Sequence, residues 1–232
     1  MRMRKKKHSE ERLESCSEFL VEKPSVSEGD TVYLEIGAGK GGFAIGMCEK
    51  HPSVKYYAME RVTDCVVLAA EKAKGAYLDT GAPCNLKFII DTADNLTLLF
   101  ENGTVDRIFL NFSDPWSKKG YAKRRLTHRR YLAVYFNLLK DGGTLCFKTD
   151  NVGLFDFSLE EIEAMGLSPD VVTRDLHESE YSADNVVTEY EAAFSSQGIK
   201  INMLKVTKPH GFAPEIDEEL SVARRNYREE NS

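Results

Sequence analysis

The chain has 232 residues and a formal net charge of −6, with 31 Lys and Arg against 37 Asp and Glu. Hydrophobic residues make up 42% of it and charged residues 29%, a globular composition that excludes the disordered, collagen-like and disulfide-stapled classes. The length suits one domain of about 200 residues, and the acidic mean charge taken alone argues against a nucleic-acid partner.

Apolar, β-branched runs alternate with amphipathic stretches along most of the chain. We expect strands at 32–36, 54–59, 86–90, 105–112, 144–149, 167–176 and 199–206. Helices are predicted at 42–50, 62–74 and 158–165, with another that Thr127 caps. This alternation predicts an α/β fold with a mostly parallel seven-stranded sheet and helices on both faces, which the last two strands can close as an antiparallel pair.

No linker or repeat interrupts the pattern, so we expect one domain at 30–208 between a basic N-terminal segment, 1–29, and an acidic C-terminal tail, 209–232. No apolar run approaches the roughly 20 residues of a membrane span, and the N-terminus lacks the apolar core of a signal peptide. The five cysteines are odd in number and show no metal-ligand spacing. We therefore expect a cytoplasmic protein without a membrane partner or a bound metal.

The mean charge conceals two basic stretches. Residues 1–8 hold five Lys or Arg and residues 118–130 hold seven, and neither stretch contains an acid. The other 211 residues therefore carry a net charge of −18. Such a stretch is often only a solvated surface, but this density in an acidic chain favours contact with nucleic-acid phosphates.

A glycine-rich sequence, EIGAGKGG at 35–42 (the glycine loop), joins the first predicted strand to the first helix. Gly37 and Gly39 allow a sharp turn and a close approach of a ligand to the main chain. No Lys-Ser or Lys-Thr pair follows, which excludes a P-loop. Glu35 before the glycines and Glu60 after the second strand suit a cofactor with an ammonium group and a ribose diol, although a dinucleotide site would also place an acid about 20 residues on.

Two more acids, Asp91 and Asp114, follow the third and fourth strands. Ligands of open α/β sheets bind at the carboxyl ends of the strands, so we expect these carboxylates to line a site. A metal site is the rival interpretation, but no His or Cys joins the acids, whereas a cationic sulfonium cofactor would use all of them. The Asp-Pro-Trp sequence at 114–116 is typical of a methyltransferase loop that holds a nucleophilic nitrogen, and a packing role for Trp116 is the alternative.

The motifs together resemble the bacterial tRNA (guanine-N7-)-methyltransferases over about residues 30–208. The resemblance rests on LEIGAGKG, on NFSDPWSKK followed by KRRLT, on FKTDN and on TEYE, in that order. It implies a Rossmann-like class I methyltransferase that transfers a methyl group from S-adenosyl-L-methionine to N7 of guanosine 46 in the variable loop of tRNA. Ser117 stands where the family usually has Pro or His, and both a monomer and a homodimer remain open.

The resemblance also implies residue roles by position. Cofactor contacts fall on Glu35, Gly37, Gly39, Glu60, Asp91 and Asp114, with Asp114 also the catalytic acid. Guanosine contacts fall on Lys118, Asp150, Thr188, Glu189, Tyr190 and Glu191. Contacts to the RNA backbone fall on Lys119, Lys123, Arg124 and Arg125. The Thr188 to Glu191 stretch also matches a capping box at a helix start, and the two interpretations are compatible.

Three other functions remain open from the residues. One is a methyltransferase that acts on another RNA or on a small nitrogen nucleophile. Another is a non-catalytic RNA-binding module, which would keep the basic stretch and the glycine loop but would need neither Asp-Pro-Trp nor TEYE. An NAD oxidoreductase is the third, and no residue for hydride transfer is evident.

Overall fold

The computed structural model describes residues 8–78 and 85–221, which fall into two compact units, Met1–Thr92 and Ala93–Ser232. The strands are β1 (Val32–Ile36), β2 (Lys55–Met59), β3 (Leu86–Ile89), β4 (Val105–Asn111), β5 (Leu139–Thr149), β6 (Val171–Thr173) and β7 (Asn202–Thr207). The α-helices are α1 (Ser9–Glu14), α2 (Gly42–Lys50), α3 (Thr63–Leu78), α4 (Leu96–Leu99), α5 (Arg129–Leu138), α6 (Val152–Ala164) and α7 (Glu189–Ser195). The basic residues before position 8, Cys84 and the tail beyond 221 lie outside the described residues.

The first unit contains a parallel sheet in the order β3-β2-β1. All five residues of β1 are buried, as expected for a strand of a parallel sheet that is covered on both faces. The register places Ile36, Met59 and Ile89 side by side. The three strands therefore end together, and the residues that follow them share one edge of the sheet.

The described part of the N-terminal segment packs within the first unit. The guanidinium of Arg12 in α1 donates two hydrogen bonds to the Glu71 carboxylate of α3, at 2.7 and 2.6 Å. The amide of Val21 donates to the carbonyl of Phe88 in β3 at 3.0 Å. Residues 8–29 therefore add ordered structure to this unit.

The second unit contains the strands β4-β5-β7-β6, in which β4 and β5 are parallel and the other two pairs are antiparallel. The predicted antiparallel closure by the last two strands is confirmed. With three parallel pairs and two antiparallel pairs, the chain has the seven strands and the mostly parallel pairing that the sequence predicted. Asn111 of β4 pairs with Lys148 of β5, so these two strands also end together.

Several element boundaries differ from the predictions. β5 begins at Leu139 instead of residue 144, because the amide of Gly142 donates to the carbonyl of Lys208 and the Lys208 amide donates to the carbonyl of Gly143. Gly142 and Gly143 thus take part in strand pairing, and β5 is five residues longer at its start than predicted. The cap of α5 is His128, whose ring accepts from the Arg130 amide at 3.2 Å.

The other differences concern lengths. α3 continues past Gly75 to Leu78, and α6 begins at Val152 rather than 158 because Asn151 caps it by accepting from the Leu154 amide at 2.8 Å. β6 covers only Val171–Thr173 of the predicted 167–176.

The described part of the C-terminal tail packs onto the helices of the second unit. The Phe212 ring meets the Phe136 ring of α5 edge to face at 5.6 Å between centroids, and Asn137 donates to the carbonyl of Pro214 at 2.8 Å. Leu220 is buried. No helix among residues 8–78 and 85–221 is long and apolar enough to span a membrane.

A buried ion pair, which we call the Lys148–Glu191 anchor, ties α7 to β5. The Lys148 ammonium lies 2.5 Å from Glu191, and the two side chains are 5% and 0% exposed. The ammonium also donates to Asn185 and to the carbonyl of Val186, each at 2.9 Å, so all three of its N–H groups have acceptors. Glu191 accepts further bonds from Asn185 and contacts His177 at 2.8 Å. Such a pair is stable only while both charges are present.

We expect Lys148→Met to lower the free energy of unfolding by about 3–5 kcal/mol, because it leaves the Glu191 carboxylate buried without its cation. Lys140→Met is the matched control, since Lys140 pairs with Asp106 at 2.8 Å in a partly exposed position and should cost less than about 1 kcal/mol. Urea denaturation measures both. Adding Glu191→Gln to Lys148→Met should restore part of the loss, and a double variant no more stable than the single one would contradict the anchor.

Candidate functional site

The glycine loop leaves β1 at the carboxyl edge of the first unit's sheet. The amides of Gly37 and Ala38 both donate to the carbonyl of Met59, at 2.8 and 2.9 Å, which fixes the loop against the end of β2. Gly37 and Gly39 have φ angles of +83° and +55°, in the region that favours glycine. A Cβ built on either meets nothing within 4 Å, whereas one on Gly41 would lie 2.8 Å from Ala69. Gly41 therefore serves helix packing, and the open space over Gly37 and Gly39 fits a ligand that lies against the main chain.

Glu60 holds the glycine loop from the end of the neighbouring strand. One carboxylate oxygen accepts from the Gly39 amide at 3.0 Å and the other accepts from the Val62 amide at 2.9 Å. Each carboxylate oxygen can accept more than one hydrogen bond, so the group keeps capacity for two hydroxyl donors. This geometry fits the role predicted for Glu60, which is to accept hydrogen bonds from the two hydroxyls of a ribose.

The two other acids of the first unit differ in burial. Glu35, the fourth residue of β1, is 2% exposed and accepts a hydrogen bond from the Tyr56 hydroxyl at 3.3 Å. Asp91 is half-buried two residues beyond β3 and accepts from the Thr92 amide at 2.6 Å. Register therefore brings Glu35, Glu60 and Asp91 to one edge beside the glycine loop, and together they form a set of acceptors suited to a cationic ligand with hydroxyl and amino groups.

In the second unit the chain leaves β4 through residues 112–116, which we call the Asp114 loop. Phe112 and Trp116 have φ angles of +52° and +40°, a conformation that is strained for side chains of this size, at about 1–3 kcal/mol each. Asp114 lies between them and is exposed. Such strain concentrates at functional sites, and here it presents a carboxylate to solvent at the end of a buried strand.

Aromatic rings stand beside the Asp114 loop. The Tyr190 ring lies 4.9 Å from the Phe112 ring and stacks on Phe194 at 4.3 Å between centroids. Burial raises the pKa of Tyr190, and the negative charge of Asp150, which accepts a hydrogen bond from the phenol, raises it further. Tyr190 is nonetheless 45% exposed, so its ring and the Asp150 carboxylate together offer a stacking face and a hydrogen-bond acceptor.

The predicted capping box at TEYE is confirmed. The Glu191 amide donates to the Thr188 hydroxyl at 2.9 Å, and the Thr188 amide donates to the Glu191 carboxylate at 3.4 Å. Glu189 and Tyr190 are exposed, whereas the Glu191 side chain is buried in the Lys148–Glu191 anchor. Within this stretch a ligand therefore meets Glu189 and Tyr190 directly, and Glu191 fixes the start of α7.

The basic stretch 118–130, here the basic segment, divides into two kinds of residue. Arg129 donates to both oxygens of Glu161, at 2.9 and 2.8 Å, and Arg130 lies 3.3 Å from Glu219. The guanidinium of Arg125 donates to main-chain carbonyls of the Asp114 loop. The remaining cations are exposed and have no ion-pair partner in the described part of the chain: Lys118, Lys119, Lys123 and Arg124.

Sequence reasoning did not identify three residues of this region. Phe112 and Phe194 extend the Tyr190 stack, and Phe157 of α6 lies under the Arg125 guanidinium, 4.3 Å from its central carbon to the ring centre. The contact between Tyr190 and Phe194 could have been predicted, because residues four apart on a helix lie side by side. No sequence pattern indicated the contact between Arg125 and Phe157, because it joins two different elements.

Solved structures similar to this chain share its fold. The 16S rRNA methyltransferase KamB aligns with a TM-score of 0.59 at 14% identity, covering 82% of this chain and 98% of that one. An antibiotic-related methyltransferase aligns with a TM-score of 0.55 at 17% identity, covering 88% and 96%. These likenesses support the Rossmann-like class I methyltransferase fold that the sequence predicted.

Sequence relatives are much more similar. A tRNA (guanine-N(7)-)-methyltransferase of Streptococcus agalactiae serotype III is 38% identical over 207 residues, which covers 85% of this chain and 95% of the relative. One of Halalkalibacterium halodurans is 37% identical over 210 residues, covering 87% and 93%. A family model described as "Putative methyltransferase" matches residues 30–204. The chain therefore belongs to the family of the tRNA (guanine-N7-)-methyltransferases.

Proposed function

We propose that the chain is a tRNA (guanine-N7-)-methyltransferase that transfers the methyl group of S-adenosyl-L-methionine to N7 of guanosine 46 in the variable loop. One observation supports it above the others: a strained loop exposes the Asp114 carboxylate two residues after Phe112, whose ring contacts Tyr190, and four residues before the first exposed cation of the basic segment. The relatives at 37–38% identity are named tRNA (guanine-N(7)-)-methyltransferases, and position 46 in the variable loop is what the family resemblance implies. The proposal includes a cytoplasmic location, which the proposed tRNA substrate supports.

S-adenosyl-L-methionine supplies an electrophilic methyl group on a positively charged sulfur. Gly37 and Gly39 would let it lie against the main chain, and Glu60 would accept hydrogen bonds from its ribose hydroxyls. Glu35 and Asp91 add negative charge at the same strand ends, which favours a cation. The hydrogen bonds that Glu60 already accepts keep its carboxylate oriented before the cofactor binds.

Guanine N7 is a lone-pair acceptor that carries no proton, so its attack on a methyl group requires no general base. The chain's work is to align the nitrogen with the methyl carbon and to stabilise developing charge. The methylated base becomes positively charged, and the exposed carboxylate of Asp114 is placed to stabilise that charge. Asp114 therefore acts by electrostatics and orientation, not by removing a proton from N7.

Recognition of the guanine uses the aromatic stack of Phe112, Tyr190 and Phe194. A base that pairs within folded tRNA must leave its stack, at a cost of a few kcal/mol, and stacking on an aromatic ring offsets about 1–3 kcal/mol. Asp150 can accept hydrogen bonds from the N1–H and the 2-amino group of guanine, which adenine does not offer in this arrangement. Lys118 would add a cation beside the bound nucleotide.

Transfer is tested with S-adenosyl-L-methionine labelled in the methyl group, an unmodified tRNA transcript, and cleavage at 7-methylguanine. We expect label at one guanosine of the variable loop. Asp114→Asn should lower the saturated rate at least about a hundredfold, because an amide does not neutralise the developing positive charge. Asp156→Asn, which removes only a surface pair with Arg174, is the control.

Label in another RNA or in a different atom of guanine would contradict the proposed substrate. Stable binding of tRNA without any transfer would instead favour a non-catalytic RNA-binding module. An Asp114→Asn enzyme with an unchanged saturated rate would contradict the role of the carboxylate.

Exposed lysines of the basic segment should set the salt dependence of tRNA binding. Lys119→Ala with Lys123→Ala removes two exposed charges, so we expect weaker binding and a slope of log K against log salt that is shallower by about one per lost phosphate contact. Lys23→Ala with Lys50→Ala is the charge-matched control from elsewhere on the surface. Equal slopes for the two double variants would show that the basic segment is only a solvated surface.

A further inference from the structure

Arg125 lies in the middle of the basic segment, but its guanidinium is turned inward. Nε donates to the carbonyl of Pro115 at 3.0 Å and Nη2 donates to the carbonyl of Trp116 at 3.2 Å. The face of the guanidinium rests on the ring of Phe157 in α6, at 4.3 Å. One planar cation thus joins the Asp114 loop to a helix.

The two carbonyls belong to the strained part of the loop. Trp116 is one of its two residues in the left-handed region, and both carbonyls directly follow Asp114. A backbone held in a sparsely populated conformation persists only when its surroundings fix it. The planar guanidinium of an arginine carries N–H groups in fixed directions and can donate to two neighbouring carbonyls at once. The compact ammonium of a lysine cannot donate to both carbonyls in the same geometry.

We propose that Arg125 is a positioning residue that holds the Asp114 loop in its active shape, and that it does not contact the RNA backbone. The inference rests on the proposed function, since the loop is argued to be catalytic. It also revises the role that the family resemblance implied for this arginine, and it separates Arg125 from its neighbour in the chain.

The neighbouring Arg124 makes a different set of contacts. It is exposed, and its guanidinium carbon lies 5.1 Å from the Trp116 ring centre and 4.9 Å from that of Tyr121. Trp116 therefore contacts Arg124 through its ring and accepts a hydrogen bond from Arg125 at its carbonyl. This arrangement links the RNA-facing cations to the Asp114 loop, so tRNA docking on Arg124 acts on a loop whose conformation Arg125 already fixes.

The decisive variant is Arg125→Lys, which keeps the charge and removes the fork. We expect the single-turnover rate at saturating tRNA and S-adenosyl-L-methionine to fall about ten- to a hundredfold, as the loss of two oriented hydrogen bonds implies. The dissociation constant of tRNA and its salt slope should stay within about twofold. Arg174→Lys is the matched control, because Arg174 also lies over a phenylalanine of α6, Phe155, at 5.2 Å and pairs with Asp156 on the surface. We expect its saturated rate, its dissociation constant for tRNA and its salt slope all to stay within about twofold of wild type.

Trp116 is the only tryptophan of the chain, so its fluorescence reports on the loop without any assay of activity. In Arg125→Lys we expect stronger acrylamide quenching of Trp116, with far-UV circular dichroism and the melting temperature close to wild type. Phe157→Leu removes the ring under the guanidinium and should change rate and quenching in the same direction to a smaller extent. It serves as the second variant if Arg125→Lys loses stability.

An unchanged saturated rate and unchanged quenching, combined with a shallower salt slope, would overturn the proposal and make Arg125 a phosphate contact. If the wild-type chain transfers no methyl group to tRNA, the proposed function fails. The quenching of Trp116 then still decides whether Arg125 holds the loop.

Discussion

Parallel strand pairing is the constraint on which the site depends. Within the first unit, the parallel strands β1, β2 and β3 end together at one edge, and within the second unit β4 and β5 end together. Every residue that follows a strand end is then near the others of its unit without being near them in sequence. Glu60 and Asp91 follow β2 and β3, and Glu35 is buried one residue before the end of β1, so the three carboxylates share one edge that suits a cationic cofactor with hydroxyl groups.

Charge is used in two distinct ways in the second unit. Lys148 and Glu191 are buried and fully hydrogen-bonded, so they hold α7 and its Tyr190 ring beside the Asp114 loop. The basic segment divides similarly, with Arg129 paired to Glu161 while Lys119 and Lys123 remain exposed. A net charge of −6 therefore describes neither surface, since acids lie at the strand ends and in buried pairs while the exposed bases of the basic segment remain available to a polyanion.

Local sequence signals predicted most of the fold and part of the site. β1 and α2 match their predicted bounds because a continuous apolar run and a glycine loop are both local. The TEYE capping box was equally local. The early start of β5 was not predicted because Lys208, with which Gly142 pairs, lies 66 residues away along the chain. The inward orientation of Arg125 was not predicted because its carbonyl and ring partners lie on other elements. A run of basic residues in a sequence does not show which of them form contacts within the folded protein and which remain exposed.

The central claim is that methyl transfer to guanine N7 proceeds by alignment and electrostatics, with no proton removed. It is tested most directly by the pH dependence of the single-turnover rate at saturating tRNA and S-adenosyl-L-methionine. Between about pH 6.5 and 8.5 ordinary carboxylates and lysines keep their charge, so the account predicts a rate that changes less than about threefold. A rate that rises about tenfold per pH unit would require a deprotonation before transfer and would contradict the account.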